Sequence, residues 1–315
     1  MRHTCEQGIR ITAQPGRYPV GMIIGIETGG TKVVMAAAEV GNPEHPVTLS
    51  TVPTTSPTET LEKIAGFIAE NSPGGAPSAI GVASFGPLDT RLDSSTYGRI
   101  LSTPKHGWSN VDIVGSLTAR FTAPIGLVTD VTGAVIGEHR WGSGRGHDDV
   151  AYLTVGTGIG VGAIVHGRIH AGTGYPEVAH VLVRRHPADT FAGVCRFHGD
   201  CVEGLASGPA IHARWGTDAS SLAPDDRSLA LEMEAFYLGQ LLATIYYTLG
   251  SRLVVFGGGV SKSPGLPGLV AETANALIGF DYLAESGDGP LVVVSPSLGD
   301  LSGVTGALTL AQSLL

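Results

Sequence analysis

The chain has 315 residues, a formal net charge of −9 at pH 7, and 15% charged against 43% hydrophobic residues. That length supports a large core and about two domains, and an acidic balance with no basic cluster beyond Arg184-Arg185 argues against nucleic acid as a partner. The 46 glycines follow no three-residue period, so they fit an α/β protein with many tight turns rather than collagen or disorder.

Residues 1–20 contain Gly8, Pro15, Gly16 and Pro19, lack the apolar core of a signal peptide, and read as a loose extension. Val20 to Ile26 is a short apolar run that ends in Glu27-Thr28-Gly29-Gly30-Thr31-Lys32. A second run, Val33 to Val40, follows, and the pair reads as a β-hairpin. Pro53 to Pro57 is a loop. Thr58 to Glu70 places Leu61, Ile64, Ala65 and Ile68 on one helical face, with Glu59 and Glu62 in the first turn. Ala79 to Ala83 is a strand, Val111 to Phe121 a helix, Ile125 to Val128 a strand, and Val131 to Trp141 a helix.

The same grammar then repeats. Val150 to Val155, the turn Gly156-Thr157-Gly158-Ile159-Gly160, and Val161 to Val165 form a second hairpin about 130 residues after the first, which predicts a duplicated fold. Helices are expected around Pro209 to Trp215 and over Leu229 to Leu249. Leu253 to Phe256 is a strand that runs into Gly257-Gly258-Gly259. Leu291 to Ser295 is the last strand and Leu301 to Leu315 a closing helix. No run of about 18 apolar residues occurs, so no membrane span is predicted.

The densest chemistry lies in His180 to Cys201. Cys195-x-x-His198-x-x-Cys201, with His180 upstream, supplies the donors of a closed tetrahedral zinc site. With every position filled by protein, such a zinc is structural rather than catalytic; the rival reading is two buried free thiols beside surface histidines. An odd, sparse set of cysteines is a poor disulfide framework, which fits a reducing cytosol, and Cys5 has no evident partner.

Gly29, Gly30, Thr31 and Lys32 lie at the first hairpin turn, and Thr157 and Gly158 at the second. Glycine lets backbone amides approach an anion, so two such loops could grip a polyphosphate, although a plain tight turn explains each one singly. Asp130 ends a strand and opens a helix. There it could take a hydroxyl proton during phosphoryl transfer or could equally be a helix N-cap. Gly257, Gly258 and Gly259 permit close approach of a base or ribose, or form only a turn.

Taken in order, Glu-x-Gly-Gly-Thr-Lys, Thr129-Asp130, Gly-Thr-Gly-Ile-Gly, Glu177-x-x-His180, the Cys/His cluster and the late Gly-Gly-Gly resemble the ROK family of sugar kinases and repressors, over about residues 22 to 315. Ser84-Phe85-Gly86-Pro87, Thr103-Pro104-Lys105-His106-Gly107-Trp108 and the His within Cys-x-x-His-x-x-Cys look most like its bacterial fructokinases. The resemblance implies an α/β, duplicated actin/hexokinase-like (ribonuclease H-like) fold of two domains with a cleft. The expected domains are residues 21–129, with helix 301–315 packed back on them, and residues 130–300, which contain the zinc segment 177–203.

The resemblance further implies Asp130 as catalytic base, and Glu177, His180 and Glu203 as sugar ligands. Gly29 to Lys32, Thr157 and Gly158 would hold the phosphates of ATP, and Pro209 with Gly257 to Gly259 the adenosine. Mg²⁺ would enter with ATP, and His180, Cys195, His198 and Cys201 would hold structural Zn²⁺. The expected reaction is fructose with ATP to fructose 6-phosphate, with mannose as a further substrate, in a cytoplasmic homodimer. Glucokinase, N-acyl-hexosamine kinase or a non-catalytic sugar sensor are the alternatives. Three positions depart from the family pattern: Glu27 for Asp, Thr129 for Asn and Ala179 for Gly.

Overall fold

The computed structural model describes residues 21–72, 74–171, 174–217, 221–285, 287 and 289–315; the stretch read as a loose extension, with Cys5, lies outside the described residues. The chain divides into two compact units. The first takes the described residues up to Arg145 together with Gly167–Tyr175 and Asp300–Leu315, and the second takes Gly146–His166 and Pro176–Gly299.

In the first unit, β1 (Met22–Thr28) and β2 (Lys32–Glu39) form the expected hairpin, followed by β3 (Thr48–Pro53), α1 (Pro57–Glu70), β4 (Ala79–Ser84), α2 (Ile113–Thr118), β5 (Ile125–Thr129) and α3 (Asp130–Trp141). The sheet order is β3-β2-β1-β4-β5. Helix α1 begins where Ser56 accepts the Glu59 amide and Pro57 occupies the first turn, where a missing N–H costs nothing. Its apolar stripe meets Ile24, Ile26, Ile80 and Val82 on one face of the sheet. Helix α2 starts later than the sequence predicts, because Asp112 caps it by accepting the Gly115 amide, and it ends at Thr118 rather than Phe121.

In the second unit the chain runs through β6 (Val150–Val155), β7 (Ile159–Val165), α4 (Val202–Ala206), α5 (Gly208–Trp215), α6 (Pro224–Leu249), β9 (Leu253–Gly257), α7 (Leu266–Ile278), α8 (Phe280–Glu285) and β10 (Val292–Val294); the two-residue strand β8 (Arg168–Ile169) follows β7 in the chain. Pairing repeats the first unit. β6–β7 is antiparallel as β1–β2 is, while β6–β9 and β9–β10 are parallel as β1–β4 and β4–β5 are. The core lies between this sheet and helices α6 and α7, with Leu153, Val155, Tyr237, Leu241 and Val270 at its centre. Helix α6 starts five residues before the expected Leu229, with Pro224 in its first turn, and it stops at Gly250, whose φ of 67° is left-handed.

The last helix, α9 (Ser302–Gln312), returns to the first unit. Gly25, Gly81 and Gly126 are register partners across β1, β4 and β5, and they form a Cβ-free row on which α9 lies. A Cβ at Gly25 would stand 2.8 Å from the Val304 carbonyl oxygen, and one at Gly81 would overlap that of Ala307. Helix α3 crosses α9 with equal intimacy, because a Cβ at Gly306 would overlap the Gly133 carbonyl. These contacts hold α3, and with it Asp130, in the first unit, whereas the sequence reading begins the second domain at residue 130. Among the described residues no helix is long and apolar enough to cross a membrane.

Candidate functional site

In the first unit, Asp130 opens α3, but the cap is Thr129, whose hydroxyl accepts the Thr132 amide at 3.2 Å and lies 2.7 Å from the Thr132 hydroxyl. The cap role that the sequence left open for Asp130 is therefore filled by its neighbour. Asp130 Oδ1 accepts the Val131 amide at 2.8 Å, and the carboxylate sits where the helix dipole favours negative charge. Glu27 lies in the same field. Burial pushes its carboxyl up to about 7, with Asp130 raising it further and Lys32 pulling it down. Its Oε2 is buried with no hydrogen-bond partner among the described residues, and a side chain at Gly303 would collide with the carboxyl group.

The turn Gly29 to Lys32 is braced from three directions. Gly29 N–H donates to the Lys32 carbonyl at 2.8 Å, Thr54 Oγ1 donates to the Gly29 carbonyl at 2.8 Å, and the Lys105 ammonium donates to the Gly30 carbonyl. Lys105 comes from the Thr103–Trp108 loop, which Trp108 anchors by donating its indole N–H to the Thr55 carbonyl at 2.9 Å. These braces hold Gly30 and Thr31 exposed at the tip.

In the second unit the Cys/His segment is a tight knuckle. Cys195 and Gly199 exchange backbone hydrogen bonds of 3.1 and 2.8 Å, and Val194 N–H donates to the Gly204 carbonyl at 3.0 Å. Gly193 and Gly199 have φ of 89° and 68°, and a Cβ at Gly204 would overlap the Gly199 carbonyl. Glycine at these positions lets the loop fold back so that one donor atom from each of His180, Cys195, His198 and Cys201 lies within 4.8 Å of the other three.

Three of these approaches are His180 Nδ1 to Cys201 Sγ at 3.4 Å, His180 Nδ1 to Cys195 Sγ at 3.7 Å, and His198 Nδ1 to Cys195 Sγ at 3.8 Å. Ligands around a tetrahedral zinc are separated by about 3.3–3.8 Å for ordinary Zn–N and Zn–S bonds, so the donor set and its spacing fit that ion. Burial pushes the Cys201 thiol up to about 11.

With Nδ1 turned to the thiols, the other nitrogen of His180 faces Glu203, at 3.9 Å from Oε1. The second oxygen of Glu203 accepts the Ile159 amide at 3.1 Å, and Gly158 packs against the same carboxylate. Glu177 lies within electrostatic reach of His180. Burial raises its carboxyl above the ordinary range, with His180 lowering it and Glu203 raising it again. Two carboxylates thus act on one imidazole, a grouping that suits a polyhydroxylated ligand. Ala179, the departure beside His180, is buried.

A cavity of about 820 Å³ opens in the same unit. Thr157, Pro209 and Gly259 line it. Gly257 and Gly258, expected beside it, do not line it; side chains there would strike the Tyr152 hydroxyl and the Val155 backbone. Gly208 N–H donates to the Gly156 carbonyl at 2.7 Å, which ties the start of α5 to the second glycine turn. Sequence reasoning missed Glu234 on the cavity wall, since a glutamate in a long helix carries no local mark of burial. It also missed Lys105 as a brace of the first glycine turn.

The duplicated α/β fold, with a glycine turn in each hairpin and a carboxylate opening α3, is that of the actin/hexokinase-like class. The chain belongs to the ROK family, whose model matches residues 23–314. It is 39% identical to the fructokinase of Zymomonas mobilis over 91% of this chain and 95% of that one, and 38% identical to the fructokinase of Streptococcus mutans over 92% and 97%. The ROK hexokinase of Thermus thermophilus superposes with a TM-score of 0.74 at 26% identity, over 92% of this chain and 97% of that one. The chain is a phosphotransferase that acts on a sugar hydroxyl.

Proposed function

We propose that this chain transfers the γ-phosphoryl group of ATP to the 6-hydroxyl of fructose, with mannose as a further substrate. The observation that carries the choice of sugar is identity of 38–39% with two fructokinases over more than nine-tenths of the chain.

Asp130 accepts the proton of the attacking hydroxyl, a role supported by the transfer of the capping role to Thr129. Glu177, His180 and Glu203 bind the sugar hydroxyls and fix which one is presented. Gly29, Gly30, Thr31 and Lys32, with Thr157 and Gly158, hold the phosphates. Pro209, Gly257, Gly258 and Gly259 shape the adenosine side. Mg²⁺ arrives with ATP and neutralises phosphate charge.

His180, Cys195, His198 and Cys201 would hold Zn²⁺, which when bound supplies a structural clamp and fixes the His180 tautomer. The imidazole then keeps Nε2 for a hydroxyl, consistent with its position 3.9 Å from Glu203. The reading places the enzyme in the cytoplasm as a homodimer.

The test is a panel of fructose, mannose, glucose and N-acetylmannosamine with ATP, following ADP. Fructose should give the highest kcat/KM. A clear preference for glucose or the N-acyl sugar would reassign the substrate, and no ADP from any sugar would defeat the catalytic reading.

A further inference from the structure

Helix α4 has only five residues, and Glu203 lies in its first turn. Its penultimate residue, Leu205, is fully buried and needs a donor for its carbonyl. Neither amide that a helix end would offer is available. Residue 209 is proline and has none, and the Gly208 amide donates to the Gly156 carbonyl at 2.7 Å. A side chain from the next helix takes their place: Arg214 Nη2 donates to the Leu205 carbonyl at 2.8 Å.

The same nitrogen donates to Asp189 Oδ2 at 3.0 Å, and the two side chains are 7% and 2% exposed. Asp189 is fixed in turn by the Tyr237 hydroxyl at 2.6 Å and the Phe191 amide at 2.9 Å. The guanidinium stands over the rings of Phe191 and Tyr237, at 4.8 and 5.8 Å from their centroids. A planar fork bonded to two acceptors and set against two rings has little freedom to turn. The arm that supplies Asp189 and Phe191 runs on to Cys195, and Arg185 ties it to Asp200 at 3.2 Å, one residue before Cys201.

Helix α4 is therefore pinned at both ends. Near its start Glu203 accepts the Ile159 amide at 3.1 Å, and at its end Arg214 holds Leu205. The other Glu203 oxygen lies 3.9 Å from His180 Nε2. Residues 203 and 205 share one helical turn, so a displaced Leu205 carries that carboxylate with it.

We propose that Arg214 is a positioning residue of the sugar site: by tying the end of α4 to Asp189, it sets the Glu203 carboxylate against His180. The proposal rests on the reading of Glu203 and His180 as sugar ligands. Arg214 does not line the 820 Å³ cavity, so its effect falls on sugar rather than on nucleotide.

The experiment measures KM for fructose and for ATP in the full chain, in Arg214→Met and Asp189→Asn, and in each of these combined with Glu203→Ala. Arg214→Met keeps an apolar stem against Phe191 and Tyr237 but removes the donor. KM for fructose should rise about tenfold, with KM for ATP within about threefold of wild type. Asp189→Asn keeps the acceptor for the Phe191 amide and should raise KM for fructose at least about threefold; as the milder change, it carries the test if Arg214→Met does not fold. In the Glu203→Ala background each substitution should alter KM for fructose by less than about twofold, because a residue that acts through Glu203 then has nothing to position.

An unchanged KM for fructose in Asp189→Asn overturns the proposal. So does an equal rise with and without Glu203, which marks a loosened fold rather than a misplaced carboxylate. An equal rise in KM for ATP also overturns it, by assigning the effect to α5. If Glu203→Ala by itself leaves KM for fructose unchanged, Glu203 is not a sugar ligand and the underlying reading fails.

Discussion

Glu203 accepts the amide of Ile159 at 3.1 Å, and so joins the first turn after the Cys/His knuckle to the glycine turn of the second hairpin. One carboxylate therefore stands between the second glycine turn and His180. In Glu203→Ala the Ile159 amide loses its acceptor, at a cost of roughly 1–3 kcal/mol, and KM for sugar rises. Glu203→Gln keeps an acceptor for the amide, so it should retain the wild-type Tm while sugar affinity still falls. Equal losses of stability in the two variants would show that the hydrogen bond to Ile159 is not what distinguishes them.

On the proposed zinc site, stripping the metal should lower Tm and raise KM for the sugar together, because the same ring of His180 would serve both. Cys195→Ser is expected to do likewise, with metal content measured by atomic emission. A metal-free protein with unchanged Tm would refute a structural role for the knuckle.

Asp130→Asn keeps the Thr129 cap and the fold, so Tm and sugar binding should be retained. Loss of the proton acceptor should reduce kcat by about a thousandfold. Turnover within a few-fold of wild type would remove Asp130 from the chemistry.

Glu27 gives a pH-dependent prediction. Its carboxyl is raised from an ordinary 4.5 to about 7, so the folded state binds more protons than the unfolded state between those values. Its contribution is therefore fully present below pH 4.5 and is lost as pH rises to about 7. The stability of wild type relative to Glu27→Gln should fall over that window and level off above it, as read by urea unfolding at several pH values.

Gly306→Ala tests how α9 is seated. The added methyl would overlap the Gly133 carbonyl, which α3 cannot withdraw without leaving the sheet. A loss of more than about 2 kcal/mol is expected, in the upper range for overpacking. A neutral substitution would mean that the helices can slide apart at little cost.

The parts of the fold read correctly from sequence carry a strong local period or a capping residue. The two hairpins show as apolar runs around glycine turns, and α1 shows through its apolar stripe. Strand β3 escaped notice because it is an edge strand, half exposed, with three of its six residues Thr or Ser. Helix α7 was missed because Pro267 and Gly268 in its first turn mimic a loop, although Leu266, Val270, Ala274 and Ile278 form a buried stripe.

By itself the sequence determined the duplicated α/β pattern, the family and the four members of the Cys/His cluster, because periodicity, order and spacing are local properties of a chain. Only the tertiary structure decided that α3 belongs with α9, that Thr129 rather than Asp130 caps the helix, that His180 turns Nδ1 to the thiols, and that Glu234 is buried beside Arg214. Each of these depends on what approaches a residue from a distant part of the chain, through close packing, desolvation or a hydrogen bond.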